Sequence, residues 1–464
     1  MSTDDFREAA HAHADWIAEY LDHTRDHVVF PAVQPGDIKR QLPMSAPEKG
    51  EPLERIFEDF KEIIFPGLTL WNHPRFFAYF ATSSPPASIL AELLSAAMNP
   101  NAMLWRTSPA ATELEEVTLG WLRQWLGLSE EFFGIIYDTA SIGVMQVLAA
   151  ARELLDPEFR TRGTRPGMTI YVSEQTHNSS EKAALLLGFG RDHIRRIPVD
   201  AEFRMKPEFL EKAIVADKAA GRIACCVVAS VGSTSTSAIE PIDAIADITE
   251  RHGLWLHVDA AYGGAAAVIP EYRHILKGVD RAQSMVVNAH KWLNVGIDCS
   301  ILYTRQPDVL RRSVSLSAEY LTTPEDGQVI NFNEYGIQLG RRFRALKLWY
   351  VMRAYGREGM IELIQRSIDQ AQLLRCLIES HSDFEIAAPT PFSLVCFRHR
   401  GSNELNQQLL GRLNAGGQVF LSHTVLNGQF VIRCAFGNYL TTEKDVRETW
   451  QLIQDTAELC KTNA

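Results

Sequence analysis

At 464 residues the chain has enough length for two or three domains and a large buried core. Its 57 Asp plus Glu against 46 Lys plus Arg give a formal net charge of −11, which argues against nucleic acid or an anionic membrane surface as the main partner. The seven cysteines are scattered, odd in number and without zinc-ligand spacing, so neither a disulfide framework nor a metal site is expected, and no run approaches a membrane span. The N-terminus, Met-Ser-Thr-Asp-Asp, has no basic flank and no apolar core, and a cytoplasmic protein is expected.

In chain order, Phe6, Ala10, Ala14, Ile17 and Leu21 form a helical stripe that a lone N-terminal helix could bury only against another body. Prolines 31, 35, 43 and 47 punctuate an irregular segment before a second amphipathic stretch over 52–64. From about 85 to 340 strands and helices alternate: strands at 134–137, 169–172, 194–199, 223–230, 254–259, 284–288 and 299–304, helices at 113–126, 144–155, 207–219 and 242–251. Alternating βα units predict a largely parallel sheet wrapped by helices. A long helix over 344–379, strands at 392–397, 419–422 and 430–435, and a helix from 442 predict a smaller α+β domain. The expected division is therefore an N-terminal helical segment (1–84), a large α/β domain (85–343) and a small α+β domain (344–464).

Two strand ends carry the chemistry. Lys291 lies just beyond the apolar strand 284–288, in a turn of small and polar residues where a lysine can lose enough solvation to act as an amine, as bonding to an aldehyde requires. By itself it also reads as a surface lysine. Asp259 closes the strand 254–259, about where ligands bind in open α/β sheets, and a buried carboxylate there needs a cationic partner. The protonated ring nitrogen of pyridoxal phosphate is such a partner. Strand alternation places Ala261 on the same face, a small methyl for a flat ring to lie on. His257, beside the acid, reads equally as its orienter or as a core histidine.

His-Val-Asp-Ala-Ala-Tyr-Gly-Gly at 257–264, followed by Asn-Ala-His-Lys-Trp-Leu at 288–293, resembles the group II pyridoxal-phosphate decarboxylases, and within them the aromatic L-amino-acid decarboxylases. The likeness continues through 71–80, 173–177, 340–347 and 430–433. It implies a fold-type I enzyme with a mostly parallel seven-stranded sheet, a homodimer with active sites at the subunit interface, and an N-terminal segment packed on the partner.

The resemblance further implies that Thr139, Ala140 and Ser141 hold the phosphate with Asn288 and His290, a turn whose residues read by themselves as an ordinary helix N-cap. Asp138 stands there where relatives carry a small residue, and Ala289 replaces a common proline. His177 matches the ring-stacking histidine and Thr234 a cofactor-contacting threonine. Tyr320 matches the loop tyrosine that returns a proton to the substrate carbon, which favours amine over aldehyde as product. Trp71, Tyr79, Phe80, Ala81 and Thr82 match the substrate wall, although a ring cluster also reads as core. Asn101 and Met103 match positions contributed by the other subunit, and Gly340 leaves room for an indole. Arg433 reads equally as a structural ion pair or part of the site.

The expected activity is pyridoxal-phosphate-dependent decarboxylation of aromatic L-amino acids (tryptophan, tyrosine, phenylalanine or dihydroxyphenylalanine). The alternatives are an aromatic aldehyde synthase on the same site, and a cofactor-binding protein without turnover.

Overall fold

The structure, a computed structural model, describes residues 1–316 and 321–462. The chain sorts into two compact units. The larger comprises 82–372 and 388–396, the smaller 1–81, 373–387 and 397–464. The division expected from the sequence groups the same segments differently, since most of the long helix Arg344–Glu379 belongs to the larger unit.

In the larger unit, seven strands are ordered β1-β7-β6-β5-β4-β2-β3, comprising β1 (Phe133–Tyr137), β2 (Met168–Ser173), β3 (Ile194–Ile197), β4 (Ile223–Ser230), β5 (Trp255–Asp259), β6 (Ser284–Asn288) and β7 (Ser300–Thr304). From β6 to β3 neighbours run parallel, while β7 is antiparallel to both β6 and β1. Two reversals restore direction, so β1 runs the same way as β2, β4, β5 and β6. The carboxyl ends of all these strands therefore emerge at one edge of the sheet.

Local sequence explains the path into that edge. Between β4 and β5, helix Ile242–His252 buries Ile242, Ile245, Ala246, Ile248 and Thr249, a 3–4 spacing that lays one face on the sheet. It stops at Gly253, whose φ of 70° is left-handed, and Leu254 N–H then returns to the Thr249 carbonyl. Burial of strand residues such as Ile170, Val228, Val286 and Leu302 against helix Ala140–Leu155 and its neighbours supplies the core, each side chain stabilising the fold by about 1.5–3 kcal/mol. Cys225 and Cys226 are both buried in β4 as packing residues, and burial pushes the Cys225 thiol up to about 12. All seven cysteines are free.

The smaller unit contains β8 (Phe384–Ile386), β10 (Ser422–Leu426), β11 (Gln429–Ala435) and, from Phe397 on, β9 (Leu394–His399), in the sheet order β10-β11-β9-β8. The strand expected at 419–422 forms instead at Ser422–Leu426. Asn427-Gly428, with φ of 51° and 76°, makes the two-residue hairpin turn that pairs Leu426 with Gln429 and fixes the register. β8 was not expected, since three residues are too few for a legible alternation.

Candidate active site

Asp259 is the last residue of β5, paired in register with Ser230 of β4 and Val286 of β6. The strand ends there, so Ala261 reaches the acid through a turn and not through strand alternation: its N–H donates to Asp259 Oδ1 at 3.1 Å, and its carbonyl accepts from Asn288 N–H at 3.0 Å. Gly232 and Gly263 let the turns after β4 and β5 touch. A Cβ on Gly263 would lie 2.6 Å from the Val231 carbonyl, and Gly232 holds a φ of +87°.

Beyond β6, the chain turns at once, with Lys291 N–H donating to the Asn288 carbonyl at 3.1 Å. Lys291 is half-buried. His290 is buried, and its Nδ1 accepts from Cys299 N–H at 2.9 Å, which leaves the ring proton on Nε2. Burial, with Lys291 beside it, drives its pKa down to about 4, so it is a neutral donor at pH 7. Asn288 Oδ1 accepts from Ser300 Oγ at 2.6 Å, which leaves its amide N–H groups as donors.

β7 carries this group to the hydroxyl-bearing turn. Ser300 pairs with Asn288 on one side and with Tyr137 on the other, and Thr139, Ala140 and Ser141 follow Tyr137. Thr139 occupies the N-cap of helix Ala140–Leu155 but makes no side-chain cap bond, so the hydroxyl is not spent on the ordinary capping role. Gln338 Nε2 donates to Asp138 Oδ2 at 3.1 Å, which fixes the carboxylate's direction but leaves its charge.

His177 follows β2, and its Nδ1 accepts from Ser179 N–H at 3.2 Å and meets Ser179 Oγ at 2.8 Å. Its pKa is lowered chiefly by desolvation, opposed by the Asp259 charge and reinforced by Lys291 and Lys182. His177, Asp259 and Lys291 thus share one electrostatic environment, although 114 positions separate the first from the last. Thr234 lies exposed in the turn 231–238, which Ser233 Oγ braces by accepting from Ala238 N–H at 3.1 Å. His257 is fully buried one turn of pleat behind Asp259; its Nδ1 meets Ser284 Oγ at 2.9 Å, and burial drives its pKa to about 4. It behaves as a neutral core histidine.

Also in the larger unit, Asn101 Oδ1 accepts from Arg341 N–H at 3.0 Å, and Asn101 Nδ2 reaches Met103 Sδ at 3.5 Å. A Cβ on Gly340 would meet only Asn101 Nδ2, at 3.9 Å. Thr82 is half-buried. Among the described residues no cluster of side chains could hold a metal ion.

The ring-bearing stretch belongs to the smaller unit. Phe76, Phe77, Phe80 and Ala81 are buried, whereas Trp71 and Tyr79 are 38% and 53% exposed and stack on each other at 5.7 Å. Tyr79 has a left-handed φ of 54°, held by its N–H donating to Ser422 Oγ at 3.1 Å. Arg433 donates to the same oxygen at 2.8 Å and lies 5.4 Å from the Phe80 ring centroid, so within this unit it braces the bend. Sequence reading missed Ser422, Gln338 and a buried acid, Glu240; the acid stands out in Ala-Ile-Glu-Pro, an isolated charge just before helix Ile242–His252. Tyr320 lies outside the described residues.

The donors gathered at this edge fit pyridoxal phosphate: an amine for its aldehyde, an acid for its ring nitrogen, an imidazole of ring size, and neutral N–H and O–H groups at a helix N-terminus for its phosphate. Comparison with known proteins agrees. The profile described as "Pyridoxal-dependent decarboxylase conserved domain" matches residues 35–400, and the chain belongs to this family of pyridoxal-dependent decarboxylases. It is similar to the tryptophan decarboxylase 2 of Oryza sativa (38% identical, 98% of this chain and 95% of that one) and to the phenylacetaldehyde synthase of Arabidopsis thaliana (39%, 98% and 96%). Among solved structures it superposes on Oryza sativa TDC with PLP and tryptamine (TM-score 0.96, 36% identical, 99% and 98% covered) and on Rhodiola rosea 4-hydroxyphenylacetaldehyde synthase (TM-score 0.92, 35%, 99% of each).

Proposed function

We propose that the protein is a pyridoxal-phosphate-dependent decarboxylase of aromatic L-amino acids, releasing the arylalkylamine and carbon dioxide. The observation that carries this reading is the convergence of Asp259, Lys291 and His177 at one sheet edge, within one electrostatic environment.

Lys291 is the amine that tethers the cofactor, and Asp259 holds the ring nitrogen in its protonated form. Thr139, Ala140 and Ser141 cradle the phosphate with Asn288 and His290, while Ala261 and Thr234 border the ring. Bound there, pyridoxal phosphate supplies an electron-poor ring that takes up the electron pair left when carbon dioxide departs. His177, neutral and protonated on Nε2, covers the ring and donates toward the substrate's carboxylate side. Decarboxylation would be selected by the orientation in which this chain holds the substrate's carboxylate. Tyr320 then delivers a proton to the substrate's Cα, an assignment that rests on the sequence. The assignment of Trp71, Tyr79, Phe80, Ala81 and Thr82 to the substrate's side chain rests on the sequence resemblance. None of these side chains is a cation, which disfavours acidic substrates.

A homodimer belongs to this reading, with Asn101 and Met103 serving the partner's site. Two features support it. Helix Pro86–Met98 exposes Leu90, Leu93, Leu94 and Met98, and helix Thr3–Asp22 buries no residue although Trp16 packs edge-on against Phe57, Phe60 and Phe65. Among the described residues no helix is long and apolar enough to cross a membrane.

The second reading, an aldehyde synthase, is favoured by the likeness to two such enzymes. Incubation with tryptophan, tyrosine, phenylalanine and dihydroxyphenylalanine, with carbon dioxide, amine, ammonia and peroxide all measured, separates the readings. Amine equal to carbon dioxide supports the decarboxylase; stoichiometric peroxide and ammonia overturn it in favour of the synthase, and no carbon dioxide from any of the four defeats both.

A further inference from the structure

Glu240 is fully buried, 1% exposed, in the segment that returns from the β4 turn. Backbone and side chain both clamp the last residue of β4: Glu240 N–H donates to the Ser230 carbonyl at 3.0 Å, and Ser230 N–H donates to Glu240 Oε2 at 2.7 Å. Ser230 is the register partner of Asp259, whose carbonyl accepts from Val231 N–H at 2.9 Å. The carboxyl group therefore sits one strand away from Asp259. Its other neighbours are the Ser173 hydroxyl of β2 and the Met205 backbone, both neutral; the charged group acting on it is Asp259. Ser173 Oγ in turn meets Thr176 Oγ1 at 3.1 Å, in the turn that presents His177.

The resulting environment is unsuited to a second carboxylate. Burial penalises the charge and, aided by the like charge of Asp259, outweighs the hydrogen bonds from Ser173, Ser230 and Met205, so the pKa is pushed up to about 7. A cationic ring resting on Asp259 would cancel the like charge and ease ionisation of Glu240. We propose that Glu240 is a positioning residue that holds a proton behind Asp259 and gives it up as the cofactor ring docks, coupling the hold on the ring to pH. This rests on the reading of Asp259 as the ring-facing acid.

The coupling is reciprocal: if docking releases the proton, raising the pH through about 7 strengthens docking. Pyridoxal phosphate binding to the full-length apoprotein is measured by calorimetry from about pH 6 to about pH 8, in buffers of different ionisation enthalpy. Glu240→Gln keeps the acceptor for Ser230 N–H and mimics the protonated acid. The expected result is that wild type releases more protons than Glu240→Gln, and that its affinity gains about threefold to tenfold more over this range. Coincident proton counts and pH profiles overturn the proposal. Asp259→Asn separates the two readings: cofactor affinity unchanged in that variant removes the Asp259 assignment itself, whereas a loss there with coincident Glu240 curves removes only the role of Glu240. In case Glu240→Gln does not fold, wild-type infrared difference spectra serve alone, with a protonated-carboxyl band bleached on cofactor binding as the expected result and no such bleach as the contrary one.

Discussion

The strand-end cluster of the larger unit and the ring-bearing stretch of the smaller unit are built by opposite means. At the strand ends, sheet topology does the gathering: polar residues from β1, β2, β4, β5 and β6 arrive at one edge and are fixed there by donors such as the Ala261 N–H on Asp259 Oδ1. Over 71–80, side chains sort one by one, with Phe76 fully buried and Tyr79, three residues on, more than half exposed on a left-handed bend. On the reading proposed above, the first arrangement would hold the cofactor by charge and hydrogen bonding. The second would meet the substrate by shape, which a few exposed rings can alter without disturbing the fold.

Substitutions that break the contrast begin with Lys291→Ala. It removes the tethering amine, and carbon dioxide release is expected to fall by about 10³-fold or more while the fold, followed by circular dichroism, persists. Retention of most of the activity would detach the chemistry from this strand end. In the other region the same kind of truncation divides by burial. Phe76→Ala should cost about 3–5 kcal/mol in urea denaturation, because its ring is fully enclosed. Tyr79→Ala should cost under about 1 kcal/mol yet raise KM for aromatic substrates. Equal stability losses would erase the distinction drawn here.

A third test uses pH. Burial holds His257 and His290 neutral in the folded chain down to about pH 4, while the unfolded chain protonates its histidines near 6.5. The unfolded state therefore takes up protons first, and stability is lost as the pH falls from about 6.5 toward about 4, on the order of 3 kcal/mol per histidine. Replacing His257 with Asn should flatten this slope; an unchanged slope would mean the ring titrates normally. The smallest effect is expected from Gly340→Ser. Its Cβ meets only Asn101 Nδ2 at ordinary contact distance, so stability should stay within about 0.5 kcal/mol while preference shifts away from tryptophan in a competition assay.

Residue patterns made much of this legible. Alternating apolar strands and amphipathic helices foretold the seven-stranded sheet, and the positions of Asp259 and Lys291 at strand ends followed from where apolar runs stop. The link from Asp259 to Ala261 was misjudged, because whether a strand continues two residues further depends on ladder partners that periodicity does not reveal. The same holds for Ser422, whose double role with Tyr79 and Arg433 spans some 340 positions. The hydrogen bond from Gln338 to Asp138 joins residues 200 positions apart and was equally hidden. Long-range hydrogen bonds between single polar side chains leave no periodic trace, and these were the parts that only coordinates could supply.

The most direct measurement is borohydride reduction of the purified, pyridoxal-phosphate-loaded protein, followed by peptide mapping by mass spectrometry. The predicted result is one phosphopyridoxyl adduct, on Lys291 in the peptide that follows β6. An adduct on a different lysine, or none at all, would contradict the assignment of this strand-end cluster as the cofactor site.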